Sequence, residues 1–344
     1  MTERGFVAVV RKENAEALRR HLRTAGLLDS SRRIRAHGGE VLMPVSSRQI
    51  PGLKDFSAEL RDDREPVART TQVPPIEIVR RTVDIETSLI RLLPEKWERI
   101  GDVLVMRIPS ELREWREKVA RAYATVLGAR SVLEDMAGIE GEWRLPAVEK
   151  IWGEETETVH LENGVRFKLD PAKVMFSSGN LPERIRMARV SGSGETVVDL
   201  FAGIGYFSIP MAVHSRPRII HACEINPTAF HYLEENVRMN RTENVRPVLG
   251  DCRVTAPEGV ADRVVMGYLR GQGFLEKAMR VVGKRGVIHY HEACPNELID
   301  SRPWGSVNAA AEAAGRRAEL LRLHCLKSYA PGVSHVVLDV LVSS

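Results

Sequence analysis

Three acidic residues occupy equivalent places in the second half of the chain, each at the end of an apolar segment. They are Asp199, Glu224 and Asp251, and the first is followed by Gly203 and Gly205. Glycines at a tight turn let the backbone approach a ligand without Cβ clashes. Acids at the carboxyl ends of neighbouring parallel strands face a common crevice. The pattern therefore predicts a nucleotide-binding crevice.

The arrangement of these residues favours one kind of nucleotide. An acid precedes the glycines and no third glycine follows them, which favours S-adenosylmethionine over a dinucleotide. Glu224 is expected to accept hydrogen bonds from both ribose hydroxyls, and Asp251 from the adenine amino group. Any one of these acids alone would more often be a helix cap or a loop residue, so the prediction depends on their combination. The cofactor-binding residues predicted at these strand ends are Asp199, Phe201, Gly203, Gly205, Glu224, Ile225, Asp251, Met266 and Gly267.

A second segment, residues 175–186, lies shortly before the first of these strands. Ser177 and Asn180 precede a predicted helix, and side chains of this kind commonly cap a helix. The alternative is a pocket for the amino-acid tail of the cofactor, in which Arg184 engages the carboxylate. The residue types alone leave both interpretations open.

The strand that ends at Met266 bears on which group is transferred. Gly267 and Tyr268 follow it, at the place where many base methyltransferases have an Asn or Asp followed by prolines. The turn therefore supplies no side-chain amide to hold a base edge beside a methyl group. Tyr268 could instead stack on a target base. A general base is plausible but not required, and the weak candidates for a catalytic role are Tyr268, His289, His291 and Glu292.

Alternating β and α segments must position these residues. Predicted strands cover residues 195–200, 218–224, 245–249, 262–267 and 286–291, and predicted helices cover 207–215, 227–240, 273–282 and 307–322. Such alternation implies a parallel sheet with helices on both faces. Two last strands, near 323–329 and 334–342, are joined by a short turn and must pair antiparallel. The pattern predicts an α/β, Rossmann-like class I methyltransferase fold.

Smaller α+β domains are predicted before this sheet. A strand–helix–strand pattern indicates one small domain over residues 1–50, and the polar, proline-rich residues 51–75 predict a linker. Residues 76–180 are predicted to form a middle α+β domain. It includes a hairpin whose Asn163-Gly164 pair is typical of a type I′ turn. The catalytic domain is then residues 181–344.

Composition places the chain among ordinary globular proteins. Of its 344 residues, 43% are hydrophobic and 28% are charged, and no stretch approaches the roughly 20 apolar residues of a membrane span. The four cysteines have no paired short spacing, which indicates neither a zinc site nor a disulfide framework. We therefore expect a cytoplasmic monomer without a metal.

Arginines are concentrated in the first part of the chain, although the net charge is only +4. Clusters of this kind suit contact with a phosphate backbone, so RNA is the expected partner. A solvated helix face explains the same charges equally well. The predicted RNA contacts are Arg19, Arg20, Arg23, Arg32, Arg33 and Arg35.

Several motifs together resemble those of a known family. They are residues 176–186, 199–207, 262–269, 288–292 and 327–335. In these motifs the chain is similar to the archaeal-type wybutosine-synthesis aminocarboxypropyltransferases, which are relatives of the tRNA guanine-37 N1-methyltransferases. Residues 26–30 and 41–45 also resemble the small tRNA-contacting domain of both groups. The resemblance thus covers most of the chain.

The resemblance implies a reaction and a set of ligands. The 3-amino-3-carboxypropyl group of S-adenosylmethionine would move to C7 of 4-demethylwyosine at position 37, in the anticodon loop of tRNA(Phe). The second product would be 5′-methylthioadenosine. The family's cofactor ligands correspond to Ser177, Arg184, Glu224, Asp251 and Cys252 of this sequence.

Two alternative functions remain open on the sequence. A guanine-37 N1-methyltransferase would use the same cofactor and release S-adenosylhomocysteine. It is expected to have an Asn-Pro-like turn at residues 267–269, which this chain lacks. A non-catalytic RNA-binding protein is the second alternative. The complete glycine turn with its three acids argues against a lost cofactor site, although it does not demonstrate turnover.

Overall fold

The computed structural model describes residues 5–69, 73–140 and 144–344, and the chain divides into two compact units. The first unit is Met1–Pro74 and the second is Pro75–Ser344. Within the described ranges, no helix has both the length and the apolar character needed to cross a membrane. The boundary at residue 74 matches the end of the segment that the sequence marks as a linker.

The first unit is a small α+β sandwich. Its elements are β1 (Gly5–Arg11), α1 (Ala15–Thr24), β2 (Arg35–His37), β3 (Glu40–Val45) and β4 (Glu59–Asp63). The four strands form an antiparallel sheet in the order β2-β3-β1-β4. Leu18 and Leu22 lie one helical turn apart on α1, and both are fully buried in the core against this sheet. The amphipathic pattern of the helix thus accounts for the packing.

The predicted linker over residues 51–75 is wrong for its first half. A short 3₁₀ helix spans Leu53–Phe56, and β4 pairs antiparallel with β1 along Glu59–Asp63. Main-chain groups of β4 therefore find partners in the sheet. The polar side chains that suggest a linker lie largely on the exposed face of this edge strand.

The second unit begins with a four-stranded sheet covered by helices. Its elements are α2 (Pro75–Thr82), β5 (Glu98–Ile100), β6 (Val103–Met106), α3 (Arg116–Leu127), β7 (Ser131–Glu140) and β8 (Leu145–Trp152). The strand order is β5-β6-β7-β8. Tyr123 of α3 is fully buried, and its hydroxyl donates to the carbonyl of Pro94. The buried hydroxyl therefore has a partner, as a polar group in a core requires.

A hairpin of β9 (Thr158–Glu162) and β10 (Val165–Leu169) follows. Asn163 and Gly164 have φ of 48° and 77°, which confirms the predicted type I′ turn. Phe167, fully buried on β10, lies in the core of the large C-terminal sheet. The predicted domain boundary at residue 180 is therefore too late, because the hairpin packs with the catalytic sheet.

The large sheet contains seven strands. The remaining elements are α4 (Leu181–Met187), β11 (Thr196–Asp199), α5 (Ser208–His214), β12 (Ile219–Glu224), α6 (Pro227–Asn240), β13 (Val245–Leu249), α7 (Cys252–Thr255), β14 (Ala261–Met266), α8 (Leu275–Val281), β15 (Val282–Pro295), α9 (Arg302–Ala313), β16 (Arg317–Ala330) and β17 (Val333–Ser343). The strand order is β13-β12-β11-β14-β15-β17-β16. The first five strands are parallel, and β17 is antiparallel to both β15 and β16. This confirms the predicted Rossmann-like class I methyltransferase fold.

The helix predicted near residues 307–322 is wrong beyond its first turns. Helix α9 ends at Ala313, and Gly315 adopts φ of +66° directly after it. The chain then forms β16 from Arg317, paired with β17 over most of its length. The pairing with a distant strand overrides a local sequence that is compatible with a helix.

Removal of the Phe167 ring tests the place of the hairpin in the core. Phe167→Ala should lower the free energy of unfolding by about 3–5 kcal/mol, because a large cavity would remain. Leu161→Ala is the matched control on the same hairpin, since Leu161 is 68% exposed and its loss should change stability by less than about 0.5 kcal/mol. Urea unfolding measures both. Equal effects of the two substitutions would contradict the packing of β10.

Candidate active site

A cavity of about 290 Å³ opens at the carboxyl ends of the parallel strands. Residues at or just beyond the ends of β11, β12, β13 and β14 line it, among them Leu200, Glu224, Gly250 and Gly267. In open α/β sheets, this edge is where ligands bind. The opposite wall includes Asn180, before α4, together with residues of β16 and β17.

Asp199 holds the glycine turn from behind the cavity. Its side chain is fully buried and accepts hydrogen bonds from Ser208 Oγ at 2.7 Å and from the Phe201 amide at 3.2 Å. Burial raises the pKa of Asp199 to about 6. Asp199 itself is outside the cavity lining, and its predicted contact with the cofactor stays a prediction. Through its hydrogen bonds, Asp199 positions the glycine turn that borders the cavity.

Glu224 connects the glycine turn to the next strand. Its two carboxylate oxygens each accept a backbone hydrogen bond at 2.7 Å, one from Gly203 and one from Asn226. Burial raises the pKa of Glu224. Gly203 has φ of +58°, and a Cβ there would overlap the ring of Tyr206. Glu224 and Gly203 line the cavity, whereas Gly205 lies outside its lining.

Asp251 both caps a helix and lines the cavity. It accepts a hydrogen bond from the amide of Arg253 at the start of α7, and its carboxylate lies 2.5 Å from Arg253 Nη2. These contacts lower the pKa of Asp251. The neighbouring Cys252 also lines the cavity, and burial raises the pKa of its thiol to about 12. The thiol is therefore neutral and serves as an apolar wall.

Aromatic rings form one side of the cavity. Phe201 lies 5.2 Å from Tyr268 and 4.9 Å from Phe274, measured between ring centroids. A Cβ on Gly267 would lie 2.7 Å from Phe207 Cε2, so the glycine makes room for that ring in the cavity wall. Such a cluster offers flat surfaces to adenine or to a target base.

Of two further residues predicted to bind the cofactor, one lines the cavity and the other lies in the hydrophobic core. Ile225 lines the cavity beside Glu224, as predicted. Met266 is fully buried in the core and is outside the cavity lining, and its predicted contact with the cofactor stays a prediction. The strand alternates its side chains, and the one at Met266 points away from the crevice.

Arg184 is held by an ion pair. Its Nε and Nη2 lie 2.5 and 2.6 Å from the two carboxylate oxygens of Glu162, and its Nη1 donates to the Ser177 carbonyl at 2.8 Å. Burial alone would raise the pKa of Glu162, but hydrogen bonds from Arg184 and His160 outweigh it and bring that pKa to about 2. Arg184 lines the cavity, yet Glu162 neutralises its charge. Its hydrogen bond to the Ser177 carbonyl stabilises the segment that contains Ser177.

Lys327, a residue that the sequence did not single out, supplies a second cation. Its Nζ lies 3.2 Å from Ser177 Oγ in the cavity wall, and no carboxylate in the described part of the chain forms an ion pair with it. Burial lowers the pKa of Lys327. Asn180 Oδ1 is buried nearby without a hydrogen-bond partner among the described residues. These groups could bind a carboxylate and an ammonium.

The candidate bases divide into two groups. His291 and Tyr268 line the cavity, as does His335. His289 does not, since it is bound between Asp339 and Arg263, at 2.5 and 2.6 Å. Glu292 is also outside the lining, and one of its oxygens lies 2.5 Å from Arg302. Both side chains are bound outside the cavity lining, which weighs against a catalytic role for either, and that role stays a prediction.

Two of the predicted RNA-binding arginines have structural roles within the first unit. Arg32 lies 2.7 Å from Asp29 and 3.0 Å from Asp63, and its side chain is only 12% exposed. Arg35 pairs with the same Asp63, which is buried. These pairs tie the segment before β2 to β4. Internal carboxylates thus bind both guanidiniums, which leaves less of their charge for RNA, and the predicted RNA contact of Arg32 and Arg35 stays a prediction.

The other arginines remain available at the surface of the first unit. Arg19 forms an exposed pair with Glu16 on α1 at 2.8 Å. Arg20, Arg23 and Arg33 are exposed, and within the described ranges no carboxylate forms an ion pair with them. Exposed guanidiniums of this kind can bind phosphate groups.

The sheet order, the acid-bearing strand ends and the cavity together define a class of protein. It is a Rossmann-like transferase that uses S-adenosylmethionine. Residues 158–321 match the TRM5/TYW2 methyltransferase domain, residues 78–156 the TYW2 N-terminal domain, and residues 9–49 the tRNA methyltransferase 5 N-terminal domain. The chain belongs to the TRM5/TYW2 family.

Individual relatives support this family over most of the chain. A tRNA(Phe) (4-demethylwyosine(37)-C(7)) aminocarboxypropyltransferase from Methanocaldococcus jannaschii is 44% identical over 71% of this chain and 96% of that protein. The crystal structure of Pyrococcus horikoshii TYW2 in complex with MeSAdo has 38% identity and a TM-score of 0.71, covering 78% of this chain and 99% of that one. Trm5b from Pyrococcus abyssi has 33% identity and a TM-score of 0.71, covering 98% and 99%.

The Glu162–Arg184 pair predicts a specific dependence of stability on pH. The folded pKa of Glu162 is about 2, below its ordinary 4.5, so the pair stabilises the fold above the ordinary pKa and loses this effect as pH falls toward 2. Glu162→Gln should therefore destabilise the protein at neutral pH. By about pH 3 the difference from the unsubstituted protein should shrink by about 2 kcal/mol.

Urea unfolding at both pH values measures this difference. Glu149→Gln is the control, because Glu149 forms an exposed pair with Arg116 and its loss should change stability by less than about 1 kcal/mol. A Glu162→Gln effect that is the same at neutral and at acidic pH would exclude the ion pair as its source.

Proposed function

We propose that this protein transfers the 3-amino-3-carboxypropyl group of S-adenosylmethionine to C7 of 4-demethylwyosine at position 37 of tRNA(Phe). The products are the modified tRNA and 5′-methylthioadenosine. The observation that carries the proposal is the match to the Methanocaldococcus jannaschii protein, whose name states this transfer and which is matched over nearly its whole length. The cavity offers binding groups for both halves of the donor.

The adenosyl half would bind at the strand ends. Glu224, which lines the cavity, would accept the ribose hydroxyls, and Asp251 lies at the end of the next strand along the sheet. Ile225, Cys252 and Phe201 supply apolar and aromatic surface around them. This half of the site would bind the nucleoside whichever carbon leaves the sulfur, because it contacts neither the methyl group nor the tail.

The amino-acid half would bind between the Ser177 segment and β16. Lys327 and the hydroxyl of Ser177 suit the carboxylate, and the unpartnered Oδ1 of Asn180 suits the ammonium group. Arg184 supports this pocket through the Ser177 carbonyl. Anchoring the tail fixes which of the three carbons on the sulfonium faces the nucleophile, and an error of about 1 Å there can reduce the rate ~10²-fold.

The RNA would contact the protein at two places. Tyr268 and the neighbouring rings offer a stacking surface for an extruded base, and an unpaired loop base is extruded at lower cost than a paired one. Arg20, Arg23 and Arg33 of the first unit offer charge for the tRNA backbone. We propose that the protein acts as a monomer in the cytoplasm, without a metal ion.

Guanine-37 N1-methylation is the second candidate function. It is favoured by the similarity to Pyrococcus abyssi Trm5b, which extends over nearly the whole chain and whose name states that reaction. Gly267 and Tyr268 weigh against it, because the turn after β14 lacks a side-chain amide that could hold a guanine edge. The two reactions release different products from the same donor.

Donor labelling separates the two candidates. The full chain is incubated with tRNA that contains 4-demethylwyosine and with S-adenosylmethionine labelled either on the methyl group or on the carboxyl carbon. We expect label in the RNA from the carboxyl-labelled donor alone, together with 5′-methylthioadenosine, because the whole tail is transferred. Label from the methyl form alone, with S-adenosylhomocysteine, would establish the methyltransferase. Absence of label from both would favour a binding protein.

Lys327→Met tests the pocket for the tail. Its affinity for S-adenosylmethionine should fall by about 10- to 100-fold, because a charge-assisted hydrogen bond is lost. Its affinity for 5′-methylthioadenosine, which has no amino-acid tail, should be unchanged. Isothermal calorimetry measures both ligands, and Lys284→Met on the exposed part of β15 is the matched control. Equal losses for both ligands would place Lys327 outside the tail pocket.

A further inference from the structure

Two histidines from neighbouring antiparallel strands meet in the cavity wall. His291 on β15 and His335 on β17 are 1% and 2% exposed, and His291 Nδ1 lies 3.0 Å from His335 Nε2. Both residues line the cavity. Among the residues that the structure describes, His335 Nδ1 has no hydrogen-bond partner. This nitrogen is itself buried in the cavity wall, so a ligand can supply the missing partner once the imidazole ring turns toward the cavity.

Glu183 selects the tautomer of this pair. Its carboxylate is 1% exposed, lies 3.7 Å from His291 Nε2, and accepts two hydrogen bonds from Arg186. This distance is too long for a hydrogen bond, and His291 Nε2 has no hydrogen-bond partner among the described residues. The nearby negative charge nevertheless favours a proton, rather than a lone pair, on that nitrogen. His291 Nδ1 is then an acceptor, so His335 must donate through Nε2. The free nitrogen of His335, Nδ1, is left with a lone pair.

Both imidazoles are neutral near pH 7. Burial lowers the pKa of His335 to about 4, with Lys327 adding to the effect, and burial lowers that of His291 well below its ordinary value. Several other charged or titratable groups surround the pair from α4, β15, β16 and β17. They are Glu183, Arg186, His289, His324, Lys327 and Asp339. A neutral imidazole with a free lone pair can act as a base.

We infer that His335 is the base that removes the proton from C7 of the target base, and that His291 positions it. This inference rests on the proposed transfer reaction. C7 forms a bond to the tail carbon attached to sulfur, while the bond from that carbon to sulfur breaks and its electron pair stays on the sulfur. The C7–H bond then breaks, its electron pair returns to the ring, and the proton goes to Nδ1 of His335. Glu183, through His291, stabilises the resulting imidazolium.

Single-turnover transfer by the full chain, with saturating S-adenosylmethionine, tests this role. His335→Asn should slow transfer by about 10²- to 10⁴-fold, while its affinity for S-adenosylmethionine, measured by calorimetry, stays within about twofold. The rate of the unsubstituted protein should be level from about pH 6 to about pH 8. The rate of the variant should rise with pH, because hydroxide replaces the missing base. His221→Gln, on β12 outside the cavity, is the control.

The positioning role of His291 has its own test. His291→Phe should slow transfer because it removes the acceptor for His335 Nε2–H, and His291→Gln should restore much of the rate because its amide oxygen can accept that hydrogen bond.

Deuterium at C7 should slow the His335→Asn reaction and leave the unsubstituted reaction unaffected. Transfer by His335→Asn at the unsubstituted rate would overturn the inference and leave the proposed function intact. No transfer by the unsubstituted protein would refute the proposed function itself.

Discussion

The carboxylates of Asp199 and Glu224 end two adjacent parallel strands, and they hold the turn on which the cavity depends. Glu224 accepts hydrogen bonds from the backbone on both sides, and Asp199 accepts them from Ser208 and Phe201. Burial raises the pKa of both acids, so the fold maintains them against a desolvation penalty. The two carboxylates accept hydrogen bonds from backbone amides of the tight turn that would otherwise have no partner. These hydrogen bonds therefore stabilise the observed conformation of the turn.

A second set of buried charges joins segments that are distant in sequence. Glu162 on the hairpin forms an ion pair with Arg184 of α4. Arg186, one helical turn after Glu183 on the same helix, forms ion pairs with both Glu183 and Asp339. Removing one partner of such a pair leaves an unpaired buried charge, which destabilises more than loss of a surface pair. The same contacts set up the chemistry, because Arg184 supports the Ser177 segment. Structural and functional roles thus fall on the same ion pairs.

Local sequence rules predicted much of the fold. Buried parallel strands are continuous apolar segments, and the Asn163-Gly164 turn has the dihedral angles that its residue types favour. The predictions failed where pairing with a distant segment decides the structure. Strand β4 and the first residues of β16 have polar or helix-compatible sequences, and partners elsewhere in the chain make them strands. For the same reason the hairpin enters the core of the C-terminal sheet and not that of the predicted middle domain, since its turn is local and this core is not.

The sequence by itself determined that acids and glycines stand at successive strand ends, and with them the nucleotide-binding crevice. Only the tertiary structure decided which charges remain for a ligand. Glu162 neutralises Arg184 and Asp63 binds Arg32, whereas Lys327 lies in the cavity wall beside Ser177. It likewise separated His289 from His291, which share a strand face and differ in access to the cavity. The reason is physical: periodicity reports the face on which a side chain lies, but the partner of a charge is set by packing between distant segments.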